Sequence, residues 1–495
     1  MSLGVVVATE TSPTPNIFHF VISEENARSV AENGTFVQIR NKDNSLTLGM
    51  IQTLRRTNRY FSSTDVIHGS SSGLAPPQLF PAEKWDYIIA ETKVLGVYKE
   101  GLQQRSTKPV LPGSEVDLTD PKILERFLGL DPSGLHIGSL KQMQVPARIG
   151  IDRLLQKHLA ILSISGGGKS YTTSVIIEEL LRRRPEEGRP ALVMFDVHGE
   201  FGGLEAINSN PKFRNAKVKV IDATSLKLAT AYLKSSDFMA LQPTMSPAQA
   251  RELSRAISLQ KRANKPLTIG SLKQQVGAME MNNLVQEALL GWLGVLENLG
   301  FFSYYEDPDL ETTLEPGTLL ILDLSSIISL WSKQVVVYYF LKRIFELRRE
   351  RRIPPTVTFI EEAHQFCPET TVSPTKKIIE TIAREGRKFL CSLVLISQRP
   401  VNLSTTALSQ CNSHLIMRIL NPHDLNYIAK TSEGITKETL DTITSLGVGE
   451  GLLTGNAVNY PIFVQIRKKL TSASFDEISL ARESLRYEKL YSEME

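Results

Sequence analysis

The sequence predicts an α/β fold: a parallel sheet covered by helices, with a small N-terminal β-barrel, an all-helical insertion and a C-terminal helix. Three observations carry this. Beyond residue 151, short and almost continuously apolar runs alternate with segments of helical spacing, as strands buried on both faces require. Residues 16–104 instead hold β-branched and aromatic runs broken by turn residues. Residues 230–305 show helical spacing alone.

The chain has 495 residues, too many for one hydrophobic core, so several domains are expected. A hydrophobic content of 41% with 22% charged residues describes an ordinary globular protein. The net charge of +3 argues neither for nor against nucleic acid. A basic surface would have to be local, or be built by assembly around a channel. Cys367, Cys391 and Cys411 are too few for a disulfide framework and are not spaced as zinc ligands, which fits a reducing, cytoplasmic compartment. The start MSLGVVVATETSPTP lacks the pattern of a signal peptide. No run reaches about 18 apolar residues, so no membrane span is expected.

Within residues 1–105, IFHFVIS, TFVQIRN, LTLGMIQTL and YIIAETKVLGVY read as strands, with Asn33-Gly34 and Lys42 to Ser45 as turns. Several such strands in about 90 residues suggest a barrel. Residues 106–150 are rich in proline and read as a connecting segment. The α/β core is expected at 151–229 and 306–470. Its strands are HLAILSI at 158–164, ALVMFDV at 191–197, VKVIDA at 218–223, TLLILDLS at 318–325, TVTFIEE at 356–362 and SLVLISQ at 392–398. VVVYYFL at 335–341 is a buried helix segment. The insertion spans 230–305, where SPAQ offers a serine cap followed by proline in the first turn. Residues 471–495 read as a C-terminal helix or brace.

The loop SISGGGKS, residues 163–170, follows the first core strand and opens a helix. Its last three positions, Gly168, Lys169 and Ser170, fit the phosphate-binding pattern G-x-x-x-x-G-K-[ST]; Ser163 stands where that pattern has its first glycine. Gly166, Gly167 and Gly168 let backbone N–H groups turn toward phosphate oxygens. Lys169 would neutralise the β and γ phosphates, and the Ser170 hydroxyl would bind Mg²⁺. Ser165 and Tyr171 complete the expected ATP-binding stretch. Against this stands a glycine-rich turn with a surface lysine; the strand–loop–helix context decides for the phosphate site.

Nucleotide hydrolysis needs carboxylates at a nearby strand end. Glu361 and Glu362 are adjacent acids after an apolar strand: one can hold the metal, the other can polarise water. Their alternative role is to cap the next helix. Asp196, near Glu200, and Asp323 read as strand-end polar groups, with Asp196 a possible secondary acid. Gln398 closes the next strand and can sense hydrolysis, or merely terminate the strand before Pro400. Arg384, Arg387 and Lys388 share a helical stretch, either as a solvated face or as a source of an arginine for a neighbouring subunit's nucleotide. Lys376 and Lys377 follow a Pro/Thr-rich loop that in a ring would face a pore. ELRRERR at 346–352 reads as a solvated face, and His158, His198 and His364 form no metal-ligand group.

Taken together, KHLAILSISGGGKS, DVHGEF, FIEEAHQF, IAREGRKF, ISQRP, LSQCNSHLIMRILNP and LGVGEGLLTGNAVNYPIFVQI, in this order and behind a barrel, resemble the archaeal HerA family of hexameric DNA translocases and helicases, relatives of FtsK. The resemblance covers most of the chain. It implies a barrel like that of rotary ATP synthase subunits, a RecA-like P-loop ATPase core, a helical insertion and a C-terminal brace. It further implies a homo-hexamer with ATP and Mg²⁺ between subunits, double-stranded DNA in the channel, and a NurA-type nuclease as partner in a double-strand-break repair complex that resects DNA ends. By matching positions, Lys169, Ser170, Glu361, Glu362 and Gln398 carry over to the ATP site. Glu361 is then the metal acid and Glu362 the base. Arg387 is the choice for the trans arginine, with Arg384 second. Ser163 departs from the family pattern and bears on loop geometry. A rotary-type or protein-remodelling ATPase, and a nucleotide-gated scaffold without steady turnover, are the competing readings.

Overall fold

The computed structural model describes residues 2–8, 13–22, 31–58, 86–264, 266–432, 435–471, 481 and 483–487. The chain divides into two compact units, residues 1–150 with 432–466, and 151–431 with 467–495.

In the first unit, strands β1 (Ser2–Val7), β2 (Ile17–Ile22), β3 (Phe36–Arg40), β4 (Leu46–Asn58), β5 (Asp86–Lys99), β6 (Leu102–Gln104) and β7 (Glu115–Leu118) form one antiparallel sheet. Its order is β2-β1-β7-β3-β4-β5-β6. A further pairing of β2 with β5 closes six of these strands into a barrel. Alternation along the strands sends Phe18, Phe20, Val37, Ile39, Ile51 and Val116 into its core. Helix α1 (Pro121–Leu128) follows, with the Asp120 carboxylate accepting from Lys122 N at 2.9 Å. Strands β8 (Leu135–Leu140) and β9 (Pro146–Ile149) then pair antiparallel. Residues 106–150 are thus more than a connection: β7 bridges β1 and β3 and is needed to close the barrel.

The second unit begins its sheet with β10 (Leu159–Leu162), followed by helix α2 (Lys169–Arg182), β11 (Ala191–Asp196) and β12 (Lys217–Asp222). After the short strand β13 (Leu228–Ala229) come helices α3 (Ser235–Leu241), α4 (Pro247–Arg262), α5 (Ile269–Ala278) and α6 (Asn283–Asn298). This is the helical insertion. Ser246 and Gln249 cap α4 reciprocally, at 3.3 and 2.8 Å, and Leu253, Leu272, Val276, Leu289, Leu293 and Leu296 lie buried on its helices. The insertion closes on β14 (Phe302–Ser303), which pairs with β13.

The chain returns to the sheet with β15 (Thr318–Asp323), α7 (Leu330–Arg349), β16 (Thr356–Ile360), α8 (Ala363–Phe366), α9 (Lys376–Phe389), β17 (Cys391–Ser397) and β18 (Ser413–Ile416). The strand order is β12-β15-β11-β16-β17-β10-β18, every neighbour parallel. All six apolar runs read in the core sequence are strands of this sheet, and VVVYYFL is buried within α7. The expected core span of 306–470 needs correction. Strands β19 (Glu450–Gly455) and β20 (Ile462–Ile466) pair antiparallel, and β20 pairs with β8, so 432–466 belongs to the first unit. The expected C-terminal helix falls largely outside the described residues. Just before it, Arg467 returns to α2, placing its guanidinium 2.9 Å from Glu178 and 2.8 Å from Glu179.

Candidate active site

The site is built at the C-terminal ends of four neighbouring parallel strands, β11, β16, β17 and β10, the edge where open α/β sheets bind ligands. Strand β10 runs directly into the glycine loop. Pairing extends one step past it: Ser163 N donates to Ser397 O at 3.2 Å and Ile164 N to Arg418 O at 3.0 Å. Gly166 and Gly168 have φ of 73° and 95°, a conformation that side chains oppose. Gly168 sits at the N-cap of α2, where no side chain satisfies the first N–H groups. Free amides at a helix N-terminus suit a phosphate. At Gly167 an added Cβ would lie 2.0 Å from Ser163 Oγ. Ser163 is fully buried and its hydroxyl donates to Ile164 O at 3.1 Å. Its side chain therefore occupies the space beneath the loop that a glycine would leave open.

Lys169 donates from Nζ to Ile164 O at 3.0 Å. Burial lowers its pKa, while Glu362, Glu200 and Glu361 act the other way. The Ser170 hydroxyl hydrogen-bonds the Glu200 carboxylate. Ser165 and Gly166 are exposed. Tyr171 is turned toward the C-terminal segment: its hydroxyl accepts from Lys469 N at 2.8 Å, and the Lys469 ammonium lies 5.0 Å from its ring centroid.

Strand β11 ends in a turn, residues 196–201, built around two buried carboxyl groups. The Asp196 carboxylate accepts from Gly199 N, Glu200 N and Phe201 N at 2.8, 3.0 and 2.8 Å. Glu361 Oε2, from the end of β16, accepts from Val197 N at 2.7 Å and His198 N at 3.2 Å. Five consecutive amides thus point at two carboxylates, and the turn delivers Glu200 to Ser170. Burial, with Asp196 and Glu200 nearby, pushes the Glu361 carboxyl up to about 9. Burial also raises Asp196, with Asp323 adding to it.

Glu362 has φ 47° and ψ 44°, a left-handed conformation that costs a non-glycine residue about 1–2 kcal/mol. Such strain clusters at functional sites. Here it turns the chain out of β16 into α8. The side chain is 5% exposed and its pKa is raised, by burial first, with Lys169, His198 and a hydrogen bond from Gln398 acting against it. Its Oε2 lies 3.2 Å from His364 Nδ1 but accepts no hydrogen bond among the described residues. His364 also lies 3.1 Å from the Ser397 hydroxyl, and burial pushes its pKa down to about 4, leaving it neutral.

The structure therefore brings Lys169, Ser170, Glu361, Glu362 and Gln398 together. Arg384 and Arg387 are exposed on α9 and make no ion pair among the described residues. Lys376 donates to Glu369 O at 2.7 Å, and Lys377 is exposed. Sequence reading underrated Glu200, whose contact with Ser170 depends on the turn. It missed Lys333, from the first turn of α7, which donates to Val197 O at 3.0 Å. No motif marked that lysine. Ser170, Glu200 and Glu361 offer the hard oxygen donors that Mg²⁺ takes, and the donorless Glu362 oxygen fits a water beside it. No helix among the described residues is long and apolar enough to cross a membrane.

In comparisons with known proteins, residues 135–344 match the family model described as the central domain of helicase HerA. The chain is 27% identical over 493 residues to the DNA double-strand break repair helicase HerA of Pyrococcus furiosus, covering 88% of this chain and 87% of that one. Among solved structures, VirB4 of Thermoanaerobacter pseudethanolicus matches with a TM-score of 0.53 at 14% identity, over 69% of this chain and 98% of that one. The plasmid coupling protein TrwB, in complex with ADP and Mg²⁺, matches with a TM-score of 0.50 at 13% identity, over 72% and 94%.

Proposed function

We propose, from the match of residues 135–344 to the HerA central-domain model and of most of the chain to a HerA helicase, that this chain is an ATP-driven motor that translocates and unwinds double-stranded DNA in double-strand-break repair. The observation that carries the reading is a glycine-loop lysine, Lys169, in the field of a strained, buried glutamate, Glu362, one oxygen of which accepts no hydrogen bond among the described residues.

The chain's own residues divide the work. Lys169 and the free amides of α2 hold the phosphates. Ser170, with Glu200 and Glu361, would hold Mg²⁺, which would neutralise phosphate charge. Glu362 takes the proton of the attacking water, and its raised pKa brings it nearer the working pH of a base. Gln398, bonded to that carboxylate, registers the change. Arg387, with Arg384 as the second choice, completes a neighbour's site in a homo-hexamer. Lys376 and Lys377 of six copies line a channel for the duplex. A NurA-type nuclease is the expected partner in DNA-end resection, in the cytoplasm.

The test is ATP turnover with and without duplex DNA. Strong stimulation by the duplex is expected. Turnover indifferent to DNA but raised by a protein partner would point to remodelling, and tight ATP binding without turnover to a scaffold.

A further inference from the structure

Lys333 opens helix α7. Ser329 caps that helix, its hydroxyl accepting from Ser332 N at 3.3 Å, which sets Lys333 in the first turn. The lysine's ammonium donates to Val197 O at 3.0 Å. That carbonyl belongs to the 196–201 turn, whose five amides are already taken by Asp196 and Glu361. Lys333 also lies in the field of Glu361, Asp323 and Asp196, whereas Lys169 lies in that of Glu362, Glu200 and Glu361. Two lysines therefore bracket one carboxylate cluster from different elements, and only Lys169 belongs to the phosphate loop. The neighbouring Gln334 donates to Gln365 O at 2.8 Å, on α8, just after the acid pair. One helical turn thus grips both acid-bearing turns.

We propose that Lys333 is a positioning residue of the ATPase: it clamps the 196–201 turn so that Glu200 stays on Ser170, with α7 tying that turn to the one bearing Glu361 and Glu362. The inference rests on the ATPase reading above. A lysine serving only solvation would keep its ammonium in water. This one is half-buried, which disfavours its charge, and it donates a hydrogen bond to a carbonyl of the turn while facing the carboxylates of Glu361, Asp323 and Asp196.

The experiment uses the full chain with Lys333→Met, which keeps the apolar stem, and Lys333→Arg, which keeps the charge. Three quantities are read: affinity for a fluorescent ATP analogue, kcat, and amide hydrogen exchange across 196–204. In Lys333→Met, kcat is expected to fall about ten- to hundredfold, the scale of one hydrogen bond from a charged donor. Analogue affinity should change little. Exchange at amides 197–201 should rise while α2 and β10 keep their protection, and Lys333→Arg should recover most of the turnover. Wild-type turnover and unchanged exchange at 197–201 in Lys333→Met would overturn the proposal. So would a loss of protection spread evenly over the unit, which marks a lysine that only supports the fold. A wild-type chain without ATP turnover would instead sink the ATPase reading, while the exchange data would still decide whether Lys333 fixes the turn.

Discussion

The serine at the head of the glycine loop makes a sharp prediction about its neighbour. Gly167→Ala places a Cβ 2.0 Å from Ser163 Oγ, 3.3 Å from Ile164 O and 3.4 Å from Ser163 Cβ. Unlike Gly166 and Gly168, Gly167 does not have a positive φ, so alanine meets no backbone penalty and the clash is the whole effect. Relief requires Ser163 Oγ to rotate away in a fully buried position, giving up its 3.1 Å bond to Ile164 O and its longer 3.5 Å contact with Arg418 O, or the loop to back off. A buried hydroxyl without its partner costs about 1–3 kcal/mol. Charged against nucleotide binding, this is about a five- to 150-fold loss of affinity. Ser163→Gly removes the obstacle, so the double variant should bind ATP nearly as well as Ser163→Gly alone, which itself should be close to wild type or better. Titrating a fluorescent ATP analogue into the four proteins measures the coupling, expected to exceed about 1 kcal/mol. If the two substitutions simply add, Ser163 does not shape the loop and the reasoning fails.

Three further expectations concern the acid pair, the shared interface and a buried histidine ahead of β10. Glu362→Gln should bind ATP and hydrolyse it at least about a hundredfold more slowly, the scale of a lost general base, whereas Glu361→Gln should chiefly alter the Mg²⁺ dependence; single-turnover assays that find the reverse would exchange the two roles. Rings mixed from Lys169→Ala and Arg387→Ala subunits contain some interfaces with both groups intact, so part of the turnover should return; no recovery despite verified subunit exchange counts against a shared site. His158 donates from Nε2 to Ala383 O at 3.0 Å and accepts from Leu393 N at Nδ1 at 2.9 Å, so both ring nitrogens are committed to the neutral form, and burial pushes its pKa down to about 4. The unfolded chain binds that proton more readily, with a pKa near the ordinary 6.5. The stability is therefore complete above about pH 6.5 and is lost as pH falls toward 4, by about 3 kcal/mol at most. Thermal unfolding should show a shallower acid slope in His158→Gln than in the wild type, and equal slopes would refute the assignment.

What could be read in the sequence was local. The glycine loop, the acid pair and Gln398 each sit within a few residues of an apolar strand, so the run and its polar end were legible together. The barrel was legible from turn residues and alternation, but its closing strand was not. Glu115–Leu118 is four residues with two acids, and only pairing with both β1 and β3 makes it a barrel strand. The return of residues 450–466 to the first unit was not legible either, because their pairing with β8 is a long-range fact. Lys333 was invisible because nothing in SLWSKQV distinguishes a helix-opening lysine bonded to a distant carbonyl from one in water.

What surrounds the acids of the site, unlike the acids themselves, could not be read, and for one physical reason. Asp196, Glu361 and Glu362 are 0%, 4% and 5% exposed, and burial raises the pKa of each. Isolated acids so deeply buried would destabilise the fold unless donors and cations met them. The donors come from the 197–201 backbone, which any sequence provides; the cations come from Lys169 and Lys333, which lie far apart along the chain. The glutamates can therefore be chosen for chemistry, because the strand order has already set the amides and lysines around them. That order, with β11, β16, β17 and β10 side by side, puts the ends of four separated segments at one edge. A strained Glu362 and an orphaned oxygen persist there because the surrounding contacts over-determine them, and a fold evolved for stability alone would have removed both.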